Sequence, residues 1–259
     1  MCIRDRAFDP AIRDPFDLHE RSALVWLACS SRICRPGMSE LIDAHVHIWD
    51  FLDNTYPIDT AFGLAPDLDA PVDQLLSLLD NHQVSMAILI QPGCYGFDAN
   101  LIVDTITKHP DRFLGMGMVD PRSPKVTEAL EYWEKKGLIG MRVLGDWFDA
   151  AHLESLWRKA WELGVVLSFL TGSIDLSPLA KLLNRLPPTT IVLDHFGHRH
   201  FNDRIHCQQL IDLAQFPNVY IKASGLYALS SQPHPHPDAT WFIQAVFQEF
   251  GPNRMMWAS

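Results

Sequence analysis

The chain has no run of 18 apolar residues, so no helix that spans a membrane is expected. It also lacks any excess of positive charge. Against 31 Asp and Glu stand 21 Lys and Arg, and the net charge of −10 repels phosphate backbones, so nucleic acid is not an expected partner. Cysteine is scarce and unpatterned: Cys2, Cys29, Cys34, Cys94 and Cys207 form an odd set without CxxC spacing. That excludes a disulfide framework and leaves buried thiols in a reducing, cytoplasmic compartment as the expectation. GxGxxG and GxxxxGK[ST] are absent, which weakens every nucleotide-binding reading. So are GxSxG and HExxH, and no cysteine sits in a nucleophile context. What remains is a globular composition, 47% apolar and 20% charged, that excludes disorder as the main state.

Residues 1–37 differ from the rest, mixing charge and proline without a helical or strand period. The apolar patch Ala23–Cys29 looks like a leader core, but Asp5, Asp9, Asp14, Asp17 and Glu20 precede it, where a secretory leader is short and basic. Pro36-Gly37 breaks the chain and Met38-Ser39-Glu40 leads into a strand. The expected organisation is a poorly ordered extension over 1–37 and one domain over 38–259, with a protein starting at Met38 expected to stay stable and active.

From residue 40 onward, apolar runs and amphipathic stretches alternate. Strands are expected over 41–45, 86–91, 113–119, 139–143, 165–170, 190–195, 218–224 and 254–258, nearly all apolar, as strands buried on both faces should be. Between them lie helical stripes: Val72, Leu75, Leu76 and Leu79; Val126, Ala129, Leu130 and Trp133; Leu153, Leu156, Trp157 and Ala160. Pro71 and Pro124 stand at helix starts, Gly137 and Gly164 just past helix ends. Eight strands joined by seven helices is the arithmetic of an α/β TIM (β/α)8 barrel that stops after strand 8, lacking only its last helix. A doubly wound open sheet is the rival fold.

In such a barrel the chemistry sits at the C-terminal ends of the strands. Strand 1 closes on Asp43-Ala44-His45-Val46-His47, where strand alternation puts His45 and His47 on one face. Two neutral imidazoles so placed share a divalent ion or act together on a substrate oxygen. Strand 6 ends in Asp194-His195; the imidazole can complete the cluster and the carboxylate can orient a ring. Arg142 on strand 4 suits bidentate capture of a carboxylate, or else forms a structural ion pair. On strand 7, Lys222 and Ser224 face the lumen opposite the apolar Val219, Ile221 and Ala223, with Tyr227 in the loop beyond. A lysine buried there needs an anionic partner, protein or substrate. Trp49 is placed to wall the pocket and Gln91 ends strand 2; with Lys222, Ser224 and Tyr227 they are the candidate substrate contacts. His198 and His200 follow strand 6 in an active-face loop, whereas His82, His109 and His206 are expected to face solvent. His234-Pro235-His236-Pro237 reads as a stiff lid segment, since the prolines hold the rings apart.

The segments LIDAHVHIWD, ILIQPGCYG, MGMVDP, GLIGMRVL, IVLDHFGH, VYIKASGLY and RMMWAS resemble the successive strand motifs of the amidohydrolase-related (amidohydrolase 2) family. The similarity runs over about residues 40–259 and is closest to the lactonase branch, which includes the 2-pyrone-4,6-dicarboxylate lactonases and fuconolactonase-like enzymes. It implies a TIM-barrel hydrolase in which His45, His47 and His195 are active-site histidines and Arg142 is the strand 4 arginine. Metal-dependent members add a lysine or carboxylate on strand 4 and a histidine on strand 5; here stand Arg142 and, as the polar residue of strand 5, Ser168. The resemblance therefore leaves open one zinc ion on the three histidines or a metal-free mode. It also implies an Asp directly after the strand 8 motif, the general base, one residue beyond Ser259.

The expected activity is attack of activated water on the lactone of a small sugar acid or dicarboxylic acid. The histidines polarise the carbonyl, and Arg142, with Lys222, holds a carboxylate or hydroxyl. The alternatives are a zinc-dependent decarboxylase of an aromatic or muconate-type acid, and an inactive fragment or small-molecule-binding relic.

Overall fold

The computed structural model describes residues 41–51, 55–59, 68–172 and 174–259. The N-terminal extension expected over 1–37 lies outside them, as does part of the loop after strand 1. Eight parallel strands follow one another around a single sheet in sequence order: β1 Leu41–Val46, β2 Val84–Ile90, β3 Phe113–Met118, β4 Gly140–Leu144, β5 Val166–Leu170, β6 Ile191–Leu193, β7 Val219–Ala223 and β8 Met255–Trp257. Helices α1 Val72–Asn81, α2 Asn100–Lys108, α3 Val126–Lys135, α4 Leu153–Leu163, α5 Ser177–Arg185, α6 Arg204–Asp212, α7 Leu226–Leu229 and α8 Thr240–Phe250 lie between the strands. This is the expected TIM barrel, not an open doubly wound sheet.

Two apolar layers follow from strand alternation. The larger core mixes one parity of the strands (Ala87, Leu89, Met141, Val143, Leu167, Phe169, Ile191, Leu193, Val219, Ile221) with the helix stripes, including Leu130, Trp133, Leu156 and Trp157. The other parity makes a smaller interior cluster of Ala44, Ile88, Ile90, Met116, Val166, Val192, Met256 and Ala258. Polar residues of that parity, at the C-terminal strand ends, form the floor of the site.

Helix ends obey the sequence punctuation. Pro71 caps α1, and α4 ends on Gly164, whose φ of +67° is the left-handed conformation glycine adopts without steric cost. Gly145, just past β4, is needed for a different reason. A Cβ there would stand 2.6 Å from Thr171 Cα and 2.7 Å from Thr171 O, main-chain atoms that cannot rotate away. Gly145→Ala therefore forces the β4 and β5 loops apart. The expected loss is about 1–3 kcal/mol, read as a lower urea midpoint; an unchanged midpoint would mean the loops yield freely.

The ring closes unevenly. Among the described residues β8 is hydrogen-bonded as a strand to β7. It meets β1 through a side chain: Ser259 N donates to Asp43 Oδ1 at 3.0 Å, and the same oxygen accepts from His45 N at 3.0 Å. β1 is also irregular opposite β2. Asp43 pairs with Ala87 and Val46 with Leu89, three steps against two, so β1 carries one extra residue. This bulge lets Ala44 pack in the interior while His45 reaches across the lumen.

Candidate active site

The buried centre is Asp194, at the end of β6. Its Oδ1 receives Ser168 Oγ at 2.8 Å and Lys222 Nζ at 2.9 Å, and lies 3.5 Å from His45 Nδ1. Its Oδ2 is 3.3 Å from Arg142 Nε, in contact but outside hydrogen-bond alignment. Burial alone would raise this carboxyl, but Lys222, the contact with His45 and Arg142 together hold it well below the usual range. Strands β1, β4, β5, β6 and β7 thus converge on one carboxylate.

Lys222 is fully buried, and burial lowers its ammonium while Asp194 acts in the opposite sense. The anionic partner expected for it is the protein's own Asp194, with His45 Nδ1 a further 3.1 Å contact. That geometry sets Lys222 inside the barrel wall, its ammonium on the protein's own carboxylate. Ser224 is likewise engaged, its Oγ 2.7 Å from His195 Nδ1.

The three histidines do come together. His45 and His47 are 4.8 Å apart by ring centroid, with their Nε2 atoms 3.3 Å apart, and His195 lies 4.5 Å from His45. His47 Nδ1 donates to the Ile90 carbonyl at 2.7 Å, which leaves its Nε2 a bare lone pair in the neutral ring. His198 joins them, 5.4 Å from His195. What turns the last two together is a run of positive φ angles at His195 (51°), Phe196 (50°), Gly197 (61°) and His198 (53°). Left-handed backbone costs a non-glycine residue about 1–2 kcal/mol. Burial of Phe196 beside Phe242, and Thr171 Oγ1 donating to Gly197 O at 2.7 Å, offset that cost.

All three imidazoles are neutral at physiological pH. Burial lowers His45 to about 3, His47 to about 4 and His195 to about 4, and the Arg142 charge pushes down the latter two. An unfolded chain takes up these protons near 6.5, so between that pH and about 4 the unfolded state binds more protons and stability falls as pH falls. The urea midpoint should decline from pH 6.5 to 4 and level off above 7; a flat profile would mean the rings titrate freely.

Other expected contacts fare differently. Trp49 stands beside His47, ring centroids 6.4 Å apart, and is tied to Leu68 O through its indole nitrogen. Gln91 is buried with its amide nitrogen on the Gly96 and Asp98 carbonyls, at 2.6 and 3.0 Å, so it pins the loop after β2 instead of presenting a donor to substrate. Tyr227, on the one-turn helix α7, is 80% exposed. His82 is exposed as expected, whereas His109 and His206 are half-buried, His109 against Phe113 and His206 on Asp203. Cys94 and Cys207 are buried free thiols. The role of Asp43 went unread in the sequence, although the DAHVH run puts it beside the pair.

The donors fit a zinc ion only in part. Two nitrogens each about 2.0–2.1 Å from a tetrahedral ion lie roughly 3.3–3.4 Å apart, and the His45–His47 Nε2 spacing is 3.3 Å. Against this, the inner nitrogen of His45 faces an ammonium, and among the described residues no three His, Cys, Asp or Glu are placed to hold an ion. As arranged, the set does not fit a metal.

The chain is 23% identical over 226 residues to the 4-sulfomuconolactone hydrolase of Rhizobium radiobacter, covering 84% of this chain and 74% of that protein. It is 26% identical over 238 residues to the L-fucono-1,5-lactonase of Burkholderia ambifaria, covering 86% and 80%. Among solved structures, a probable 2-pyrone-4,6-dicarboxylic acid hydrolase from Acinetobacter baumannii with citric acid bound aligns with a TM-score of 0.68 at 25% identity, over 85% of this chain and 84% of that one. An amidohydrolase from Burkholderia multivorans with bound zinc shares the fold, with a TM-score of 0.70 at 21% identity over 85% and 84%. The lactonase resemblance read from the strand motifs therefore holds. The amidohydrolase family's sequence profile matches residues 42–259, from the first barrel strand to the last residue of the described barrel, and the chain belongs to that family of hydrolases.

Proposed function

We propose that the chain hydrolyses the lactone of a small sugar acid or dicarboxylic acid, with Arg142 holding a carboxylate or hydroxyl of the substrate. The observation that carries this reading is Arg142: a buried guanidinium beside neutral imidazoles, whose carboxylate contact among the described residues is the misaligned Asp194. The planar fork of an arginine suits a substrate carboxylate. The two curated relatives, named as hydrolases of a muconolactone and of a sugar lactone, and the citrate-bound neighbour support the substrate class.

In this mechanism water attacks the lactone carbonyl, the oxygen gains negative charge, and the ring C–O bond breaks with a proton passing to the leaving alkoxide. His45 and His195, uncharged and held by protein partners, meet the developing oxyanion without the cost of reorganising solvent, while His47, with its lone pair on Nε2, accepts from water or a hydroxyl. The proton that water gives up is the one the leaving alkoxide takes up. No step is routed through a metal. Asp194, Lys222 and Ser168 touch no substrate; they hold the rings and Arg142 in register. Residues 1–37 are proposed to be dispensable and the domain to occupy 38–259.

A panel of sugar-acid and dicarboxylate lactones, followed by proton release at constant pH beside a panel of aromatic acids, tests the reading. Ring opening of a sugar-acid or dicarboxylate lactone is the expected result, and His47→Ala should remove it with the fold intact. Carbon dioxide release without ring opening would replace this reading by the decarboxylase, and silence on both panels would leave a ligand-binding role.

A further inference from the structure

We infer that Lys222 is a positioning residue that fixes the proton of His45 on Nε2, making the strand 1 pair one donor and one acceptor rather than two metal-ready lone pairs. An ammonium carries three N–H groups and no lone pair. Lys222 Nζ is fully buried, 2.9 Å from Asp194 Oδ1 and 3.1 Å from His45 Nδ1, so it donates to both. A nitrogen that accepts from an ammonium carries no proton in the neutral ring, and the His45 proton must therefore lie on Nε2.

The rest of the chain of contacts agrees in direction. His45 Nε2 faces His47 Nε2 at 3.3 Å, and His47 Nδ1, opposite a carbonyl oxygen, is a donor, so His47 Nε2 is an acceptor. The sequence Lys222 to His45 to His47 to the Ile90 carbonyl runs one way, from β7 through β1 to β2. The competing arrangement puts the proton on Nδ1, aimed at Asp194 Oδ1 from 3.5 Å, and turns it toward the ammonium. It is longer and repelled. One zinc on both Nε2 atoms would demand that competing form, since a ligating imidazole gives its other N–H to a carboxylate. Lys222 thus opposes a metal on this pair. With the proposed lactonase reading, on which this step rests, His45 donates to the carbonyl oxygen and His47 accepts from water or a hydroxyl.

Long-range 1H–15N spectra of the full chain, 15N-labelled at histidine and without substrate, decide the matter, with His45 assigned by its loss in His45→Gln. The expected result is a protonated Nε2 and a bare Nδ1 on His45 in the wild type. Lys222→Met should shift the proton to Nδ1 and tighten zinc binding, measured by calorimetry, about tenfold or more; Lys222→Arg, which keeps the cation, should keep the wild-type form. A wild-type His45 protonated on Nδ1 overturns the proposal, as does a Lys222→Met spectrum unchanged from wild type. If Lys222→Met does not fold, the wild-type tautomer alone decides. Because no substrate is present, inactivity on every lactone would overturn the proposed function and leave this result standing.

Discussion

Arg142→Met lowers kcat/KM on a carboxylated lactone by about 10²–10³-fold, the usual cost of removing one group that stabilises an oxyanion. The side chain it replaces is buried beside His47, His195 and His198, and its charge depresses all three. A methionine fills similar volume, so the protein should remain folded: Asp194 keeps Lys222 and Ser168. The division between constants is informative. If the guanidinium grips the substrate carboxylate, KM carries most of the loss and a lactone without a carboxylate loses much less. If it faces the oxyanion, kcat falls for both substrates alike. Arg142→Lys should rescue only in part, because a point charge lacks the planar fork. Steady-state kinetics on the two lactones provide the check, and unchanged constants would take Arg142 out of the site.

Asp194→Leu is the larger effect on stability. One carboxylate lies between two buried cations, 2.9 Å from Lys222 and 3.3 Å from Arg142. Removing it leaves an ammonium in the barrel wall that, among the described residues, feels Asp43 as its remaining anion. Breaking a buried pair from one side costs about 3–5 kcal/mol, roughly 10 °C in Tm for a domain of this size. Adding Lys222→Met to Asp194→Leu should return much of that loss, since replacing both partners by apolar groups removes the orphaned charge. Denaturant unfolding of the two single variants and the double variant measures it. Additive losses in the double variant would show that the pair does not act as a unit.

How much of this was legible beforehand depends on the range of the interaction. Strand and helix positions were readable because apolar runs and stripes are local patterns, and breakers such as Pro71 and Gly164 act on their own turn. The grouping of His45, His47, Arg142 and His195 was readable because parallel strands all send their C-terminal ends to one mouth. Pairings across the lumen were not. Lys222 meets His45 over 177 residues of chain and Asp194 from the next strand, and sequence sets only the demand for an anion, never which one answers. Loop orientation was equally closed. Tyr227 stands exposed on the one-turn α7, and Gln91 turns to the carbonyls of its own loop. The bulge in β1 left no sign in a motif that reads as plain alternation.

That bulge lies next to the place where, among the described residues, the Asp43 side chain and the Ser259 hydroxyl join the ring. A barrel with one such junction behaves like a split ring held by a clasp: its circumference is stiff everywhere except at the gap. Asp43 Oδ1 is the clasp, and because it holds the main-chain amides of both Ser259 and His45, any widening of the gap pulls directly on the residue that begins the histidine pair. Amide hydrogens along this joint should exchange with solvent ahead of those in the β4–β5 ladder. The softest line around the barrel and its most finely placed side chain are thus mechanically one element.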